Sequence, residues 1–293
     1  MRIDNSLKIN GTASGAGGGG TSFITEFTVG AGESITLPLV SGGSYSFLVD
    51  WGDGNVDEIS AYDDADRIHD YTASGAGTYT VTITGTCDRW DFNAVSTSAT
   101  KLTKIVNFGN VGWLVIDSAF KGCTALTTVE GGGQYLSNVT NSSSVFRDTT
   151  NLISVSTTLI LSSTTDITRM FQSSGITESP ILILDNPGGR VNCGNLYTLC
   201  TSMTAIPAID FSNSENFLGF NTLSALTSIT AYGIDQNFDI SNASLNAAAL
   251  DTLYTNLADV SGSPKTITVT DNPGTSGDDP DIATEKGWTV TGS

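Results

Sequence analysis

Five aromatic residues, Phe120, Phe146, Phe171, Tyr197 and Phe220, stand 26, 25, 26 and 23 residues apart. Four of them open a common pattern. Phe120 leads to Leu126 and Val129, Phe146 to Leu152 and Val155, Tyr197 to Met203 and Ile206, and Phe220 to Leu226 and Ile229. Phe171 begins a slightly shorter copy marked by Ile176. A unit of this size has too few apolar residues to bury a face alone, so it closes its core against the next copy. The period therefore predicts a stack of layers over residues 102–229. Phe120, Phe146, Phe171 and Tyr197 fill a corner of each layer, and the following Leu or Met and Val or Ile turn inward into a short strand. Cys123 and Cys200 share one repeat position, three residues after the aromatic, where a small buried thiol suits a tight corner. Their separation by several layers weighs against a disulfide or metal pair. Cys193 and Cys200 remain a candidate pair if a loop joins them. There is no Cys-x-x-Cys spacing.

The unit resembles the divergent leucine-rich repeats of BspA-like bacterial surface proteins. Thr164-Thr-Asp-Ile-Thr-Arg-Met-Phe171 is the best copy, and Asn138-Val-Thr-Asn-Ser-Ser-Ser-Val-Phe146 the next. The likeness covers about half the chain and implies a leucine-rich-repeat solenoid.

Ahead of the repeats, residues 22–86 alternate apolar and polar residues in short runs. These are Phe23–Val29, Ser34–Val40, Tyr45–Trp51 and Thr78–Thr84, separated by Gly-rich turns. Period-two alternation between turns predicts a small β-sandwich, with Pro38 at an edge or bulge. Val49-Asp-Trp-Gly-Asp-Gly54, His69-Asp-Tyr71 and Gly77-Thr-Tyr-Thr-Val-Thr-Ile-Thr-Gly85 resemble, in the right order, the polycystic-kidney-disease (PKD) type of immunoglobulin-like domain. Trp51 reads as a core plug, and Gly52 and Gly54 as turn residues that permit positive φ. Asp50, Asp53, Asp57, Glu58, Asp63, Asp64 and Asp66 form a dense acidic cluster. Two readings stand: a calcium site, since carboxylate oxygens suit that ion, or solvated acidic turns, since no regular calcium loop is present. His69 is read as helping to close the sandwich.

The remaining segments flank these two. Residues 1–21 combine a short mixed segment with a Gly-rich joint, read either as a disordered tail or as an attachment peptide. Ile3, Leu7 and Ile9 favour attachment, as a strand added to a partner's sheet edge. Residues 87–101 connect the domains, with Trp90 and Phe92 capping the first layer. Trp113–Ile116, Leu152–Leu161 and Ile181–Asp185 read as strands. Residues 230–293 form a C-terminal cap with an amphipathic helix over Ser241–Leu257, N-capped by Ser244. Its strand at Thr266–Thr270, its Asp271–Gly274 turn and its Gly287-Trp-Thr-Val290 ending resemble the terminal repeat of phage structural proteins. The expected fold class is thus mainly β: a small immunoglobulin-like β-sandwich, then a leucine-rich-repeat solenoid with a helix/strand cap.

Composition narrows the function. The 293 residues carry 12 basic and 30 acidic side chains, a formal charge of -18, and one His. Such a balance argues against nucleic acid and anionic membranes as partners. No run approaches a membrane span or a secretory signal, which argues against membrane insertion and suggests assembly inside a host cell. With one His there is no His-rich metal site, and Gly17–Gly20 lacks the Lys-Ser/Thr of a phosphate-binding loop. No catalytic, metal or cofactor-binding residues are assigned, and the chain is expected not to be an enzyme. The expected role is a virion surface protein, a capsid or tail decoration or fibre of a bacteriophage. Its N-terminal segment would hold a viral capsid or tail protein, and its solenoid would meet host cell-surface glycan or protein. Contact is expected at the variable stretches Glu130–Asn141, Asn186–Gly194 and Asp210–Gly219, read as exposed loops. The alternatives are a bacterial cell-surface adhesin or glycan-binding module and a purely structural capsid cement protein. A homo-oligomer is compatible with each.

Overall fold

The computed structural model describes residues 22–293, so the expected attachment segment and Gly-rich joint at 1–21 lie outside the described residues. The chain is mainly β, 27% strand and 10% helix, with its described strands in six sheets.

Alternation builds the first strands. β1 (Phe23–Val29) buries Phe23, Thr25, Phe27 and Val29, and β3 (Tyr45–Asp50) buries Tyr45, Phe47 and Val49. Between them lies β2 (Ser34–Thr36), and beyond them β4 (Val56–Ile59), β5 (Ile68–Asp70) and β6 (Gly77–Cys87). β3 pairs antiparallel with β4 and β6, and β6 with β1, while β2 and β5 form a separate ribbon. Pro38 lies outside any strand, where its missing N–H costs no ladder bond, and its carbonyl accepts the Asp91 N–H at 3.0 Å.

β1 also has a partner on its other edge. It pairs antiparallel with β7 (Leu102–Asn107), which continues in parallel to β8 (Thr128–Val129) and β9 (Ser154–Val155). One sheet, in the order β4-β3-β6-β1-β7-β8-β9, therefore crosses from the first expected domain into the repeats. The core crosses with it: Phe23 stands edge-on to Trp90 and to Trp113, with ring centroids 5.2 and 5.1 Å apart. Gly109 presses on the backbone of Ser22 and Phe23, and any Cβ there would overlap it.

Further on, each repeat lies in parallel against the next. Arg89, Val115, Asn141, Asp166 and Asn192 form one column of single bridges. β10 (Leu159–Ile160) pairs with β11 (Leu182–Ile183), β12 (Val191–Asn192) with β14 (Ser214–Glu215), and β13 (Ala205–Ile206) with β15 (Ser228–Ile229). The strands are mostly two residues long because the chain must turn several corners per layer. Hence Trp113–Ile116 contributes a single bridging residue, Val115, and Leu152–Leu161 splits into β9 and β10.

The aromatic corners carry the most regular contacts. Phe120, Phe146, Phe171 and Tyr197 are all fully buried, as the period predicts. Successive rings lie 5.7, 5.5 and 5.8 Å apart with interplanar angles of 13°, 14° and 15°. Two residues before each ring the backbone is left-handed, at Ser118, Ser144, Arg169 and Asn195, with φ of 57–58°. Two residues after each ring it is left-handed again, at Gly122, Asp148, Ser173 and Leu199. Between these points the amides of Ser118, Phe120 and Gly122 donate to the carbonyls of Ser143, Val145 and Arg147, each at 2.9 Å. The layers beginning at Ser144 and Arg169 repeat the arrangement at 2.8–3.0 Å.

The C-terminal strands β16 (Phe238–Asp239), β17 (Lys265–Thr268) and β18 (Trp288–Thr291) form a parallel sheet. α1 (Ala247–Asn256) is shorter than the expected Ser241–Leu257, and its N-cap is Asn246 rather than Ser244. The Asn246 Oδ1 accepts the Ala249 N–H at 2.9 Å. The preceding turn cannot be helical, because the Leu245 N–H is already held by Asn272 Oδ1 and Ser244 Oγ donates to the Ser224 carbonyl. Leu245, Leu250, Leu253 and Leu257 are buried as expected. α2 (Asp281–Thr284) precedes β18.

Leu199 is half exposed and has φ of 63°, a conformation that costs an L-residue about 1–2 kcal/mol. Gly122 holds the equivalent place in an earlier layer. Leu199→Gly is expected to raise the unfolding free energy by about 1 kcal/mol. A lower urea midpoint for the variant would show that the corner is not strained.

Candidate binding groove

The layers separate at one place, and the sequence explains why. β10 and β11 pair normally. Against the following layer, pairing begins well, with Thr204 N–H on the Thr177 carbonyl at 2.7 Å and Ser179 N–H on the Ala205 carbonyl at 3.1 Å. Then Pro180 and Pro207 follow, neither with an N–H to give. The Pro207 carbonyl takes the Ile209 N–H at 2.8 Å in a tight local turn. Glu178 bridges Ala205 and Val191 pairs with Ser214, so 13 steps along one layer face 9 along the next (191 − 178 against 214 − 205). The surplus lies in Asn186-Pro-Gly-Gly-Arg190, which swings outward.

A hollow of about 420 Å³ opens between the diverging strands. Leu182–Asn186 form one wall, Ala208, Asp210, Ser212 and Asn213 the other, and Tyr232 of the next layer stands at the rim. The Ile181 and Ile183 carbonyls accept the Leu159 and Leu161 N–H groups of the preceding layer, so the alternate backbone groups of Leu182 and Leu184 point to the other edge, toward the hollow. Among the described residues, no backbone hydrogen bond is made from their N–H or C=O groups on that edge. Ile181 and Pro207 lead from there into a second hollow of about 370 Å³, walled by Ile153–Thr158 and Thr177–Ile181. The two form a run along one side of the array.

The outward loop is pinned. Asn213 Nδ2 donates to the Asn186 and Gly189 carbonyls at 2.7 and 2.9 Å. Arg190 donates through Nη1 to Asp235 Oδ2 at 2.9 Å and through Nη2 to Asp235 Oδ1, and its Nε reaches the Ser214 carbonyl at 3.1 Å. The hydrogen bond to Asp235 strengthens the guanidinium's hold on its proton. Burial alone would raise the Asp235 carboxyl, but the hydrogen bonds from Arg190 and Gln236, with the guanidinium charge, together outweigh it and hold that group below the usual range.

The three stretches expected as exposed contact loops are partly core. Gly133, Leu136 and Val139 are buried in the first, Asn186, Val191 and Cys193 in the second, and Phe211, Ser214 and Phe217 in the third. Each loop doubles as the inner wall of a layer, so apolar residues recur within it. Only Asn186, Asp210, Ser212 and Asn213 from these stretches reach the hollow. Its other walls were missed, although the change of spacing from 26 to 23 around Tyr197 and the Pro-Gly-Gly insertion mark the place.

The remaining candidates are accounted for structurally. Asp57 accepts the Trp51 indole N–H at 2.8 Å, Asp50 the Gly52 N–H at 2.9 Å, and Asp64 the Ser60 and Asp66 N–H groups. No group of three His, Cys, Asp or Glu side chains is placed to hold a metal ion among the described residues. His69 stacks on Trp51 at 4.8 Å and meets Asp53 at 2.8 Å. All four cysteines are buried and free, so Cys193 and Cys200 do not pair. Burial pushes the Cys193 and Cys200 thiols up to about 12, leaving them protonated at neutral pH. No helix among the described residues is long and apolar enough to cross a membrane.

With this geometry in hand, comparison with protein-family models, with curated proteins and with solved structures found no match to the chain.

Two predictions follow from these contacts. Burial alone would raise the Asp53 carboxyl, but hydrogen bonds from His69, Ser74 and the Asn55 N–H outweigh it and hold it far below the usual carboxylate range. The resulting stability is fully present above the unfolded carboxyl pKa of about 3.9 and is lost as pH falls through the lowered folded value. Urea unfolding at pH 7 and pH 3 is expected to show a loss for the wild type that exceeds that of Asp53→Asn by about 1 kcal/mol. Equal losses would remove Asp53 from the acid response. Arg190→Ala is expected to speed amide exchange across 186–190 while leaving exchange at the aromatic corners unchanged; uniform acceleration would mean that the loop is not separately pinned.

Proposed function

We propose that the chain is a non-enzymatic surface protein of a virion, a capsid or tail decoration or fibre of a bacteriophage, that presents a repeat array for binding to a host surface. On this reading the first part is an immunoglobulin-like sandwich of the PKD type. The stacked layers are a leucine-rich-repeat solenoid, the end is its cap, and residues 1–21 attach to a capsid or tail protein. The observation that carries the reading is the run of hollows along one side of a hydrogen-bonded array. A rigid stack with an accessible side is suited to holding a ligand at fixed spacing. The resemblance of the C-terminal ending to phage structural proteins favours the virion. The net charge of -18 suits a crowded particle surface that must not bind itself or nucleic acid.

The BspA-like repeat pattern supports a second reading, a bacterial cell-surface adhesin or glycan-binding module. Mass spectrometry and cryo-electron microscopy of purified particles from the source separate the two. The virion reading expects the protein at fixed, stoichiometric positions. Recovery only with the bacterial envelope would sink it.

A further inference from the structure

The geometry points to the hollow between β11 and the 208–213 wall as a site for a neutral saccharide. This deepens the display reading by naming the ligand class, and it rests on that reading for its biological setting alone.

Three observations carry it. First, the hollow is a made feature of the layer geometry rather than a gap between mobile side chains. Its volume of about 420 Å³ falls within the range of small-molecule sites, roughly 300–1,000 Å³. Two prolines and an insertion hold its walls apart, and Arg190 and Asn213 pin the insertion. Second, Tyr232 places a partly exposed aromatic ring at the rim, 44% accessible, with the Leu182–Leu184 stretch in the opposite wall. A pyranose offers an apolar C–H face that suits such a ring, and hydroxyls around its edge.

Third, the polar groups around the hollow match hydroxyls and reject anions. Asp185, Asp210, Ser212 and the outer backbone groups of Leu182 and Leu184 supply both acceptors and donors. Asp210 spends Oδ1 on the Ser212 N–H at 2.9 Å, leaving Oδ2 for a ligand. A carboxylate accepting from a hydroxyl makes a charge-assisted bond, stronger than a neutral one. Among the described residues no Lys, Arg or His lines the hollow, so none of them neutralises a phosphate, sulfate, uronate or sialate there. A charged sugar would meet two carboxylates and be repelled.

An extended peptide adding to the free edge of β11 is the competing occupant. The free edge offers only the outward groups of Leu182, in the two-residue β11, and of Leu184 just beyond it. A peptide strand needs a longer ladder to bind by main-chain bonds, so the saccharide is favoured.

The test is calorimetric titration of the full chain. The probes are neutral oligosaccharides prepared from dextran, mannan, galactan and amylose, alongside polygalacturonate, a sialylated oligosaccharide and a randomised extended-peptide pool. The expected result is saturable binding of at least one neutral oligosaccharide and none of the acidic ones. Tyr232→Ala and Asp210→Asn should each weaken it about tenfold with unchanged thermal unfolding. Leu48→Ser, on the exposed face of the distant β3, should leave binding unchanged. Asn at position 210 can still accept the Ser212 N–H, so its fold is preserved while the ligand's charged acceptor is removed. Failure of every neutral saccharide, preference for an acidic one or for peptide, or binding indifferent to Tyr232→Ala overturns the proposal. Particle location is read separately. A protein found on virions that binds no sugar defeats this site and not the display reading, and a sugar-binding protein absent from virions does the reverse.

Discussion

The structure depends on the hydrogen bonds that join one aromatic corner to the next. A short unit cannot satisfy its backbone internally, and a buried unpaired amide costs as much as a lost hydrogen bond. Three amides per layer solve this by donating straight up the stack, and the left-handed residues on either side of each ring aim them. The rings follow passively. Once successive corners are held in register, Phe120, Phe146, Phe171 and Tyr197 have little choice but to lie face over face. Glycine, aspartate and asparagine at Gly122, Asp148 and Asn195 keep the backbone cost low there, and small serines hold three of the other left-handed positions. Arg169 and Leu199 are the departures.

The same constraint explains why a groove exists at all. Where lengths differ by four residues, the corners can stay in register only if the opposite side opens. The stack shows this compromise directly: Phe171 and Tyr197 remain nearly parallel while the strands on the far side part. One layer later the register is spent, and Phe220 meets Tyr197 at 88°. From there the cap takes over, with Phe238 packed edge to face against Phe217 and Phe220 rather than stacked.

Much of this was legible because it repeats. The aromatic spacing located the corner rings, and the Leu245–Leu257 pattern located the buried face of α1. What could not be read was register between distant segments. Nothing local in Phe23–Val29 announces that β1 has a second partner 80 residues on, because alternation specifies which face is buried and says nothing of how many edges are paired. The helix start was misplaced for a related reason: Ser244 is a good cap by composition, yet Asn272, far along the chain, already holds the adjoining backbone. The groove was missed since it arises from a difference between two repeats, and each repeat by itself looks ordinary.

The double pairing of β1 has a mechanical consequence. The end of a layered array exposes a core and an open strand edge, both hazards for aggregation. Here β7 finds its edge covered by β1, and the first corner ring finds Phe23 and Phe108 against it. The part that precedes the repeats therefore serves as their terminal layer, closed by Trp90 and Trp113 around Phe23. At the other end, β18 is the outer strand of the parallel sheet, and its buried Trp288 covers the last of the core, with the indole N–H bonding the Ala258 carbonyl at 2.8 Å. With both ends closed, the stack can remain stiff between them, and the parted strands near Pro180 and Pro207 can stay open without unravelling the layers on either side.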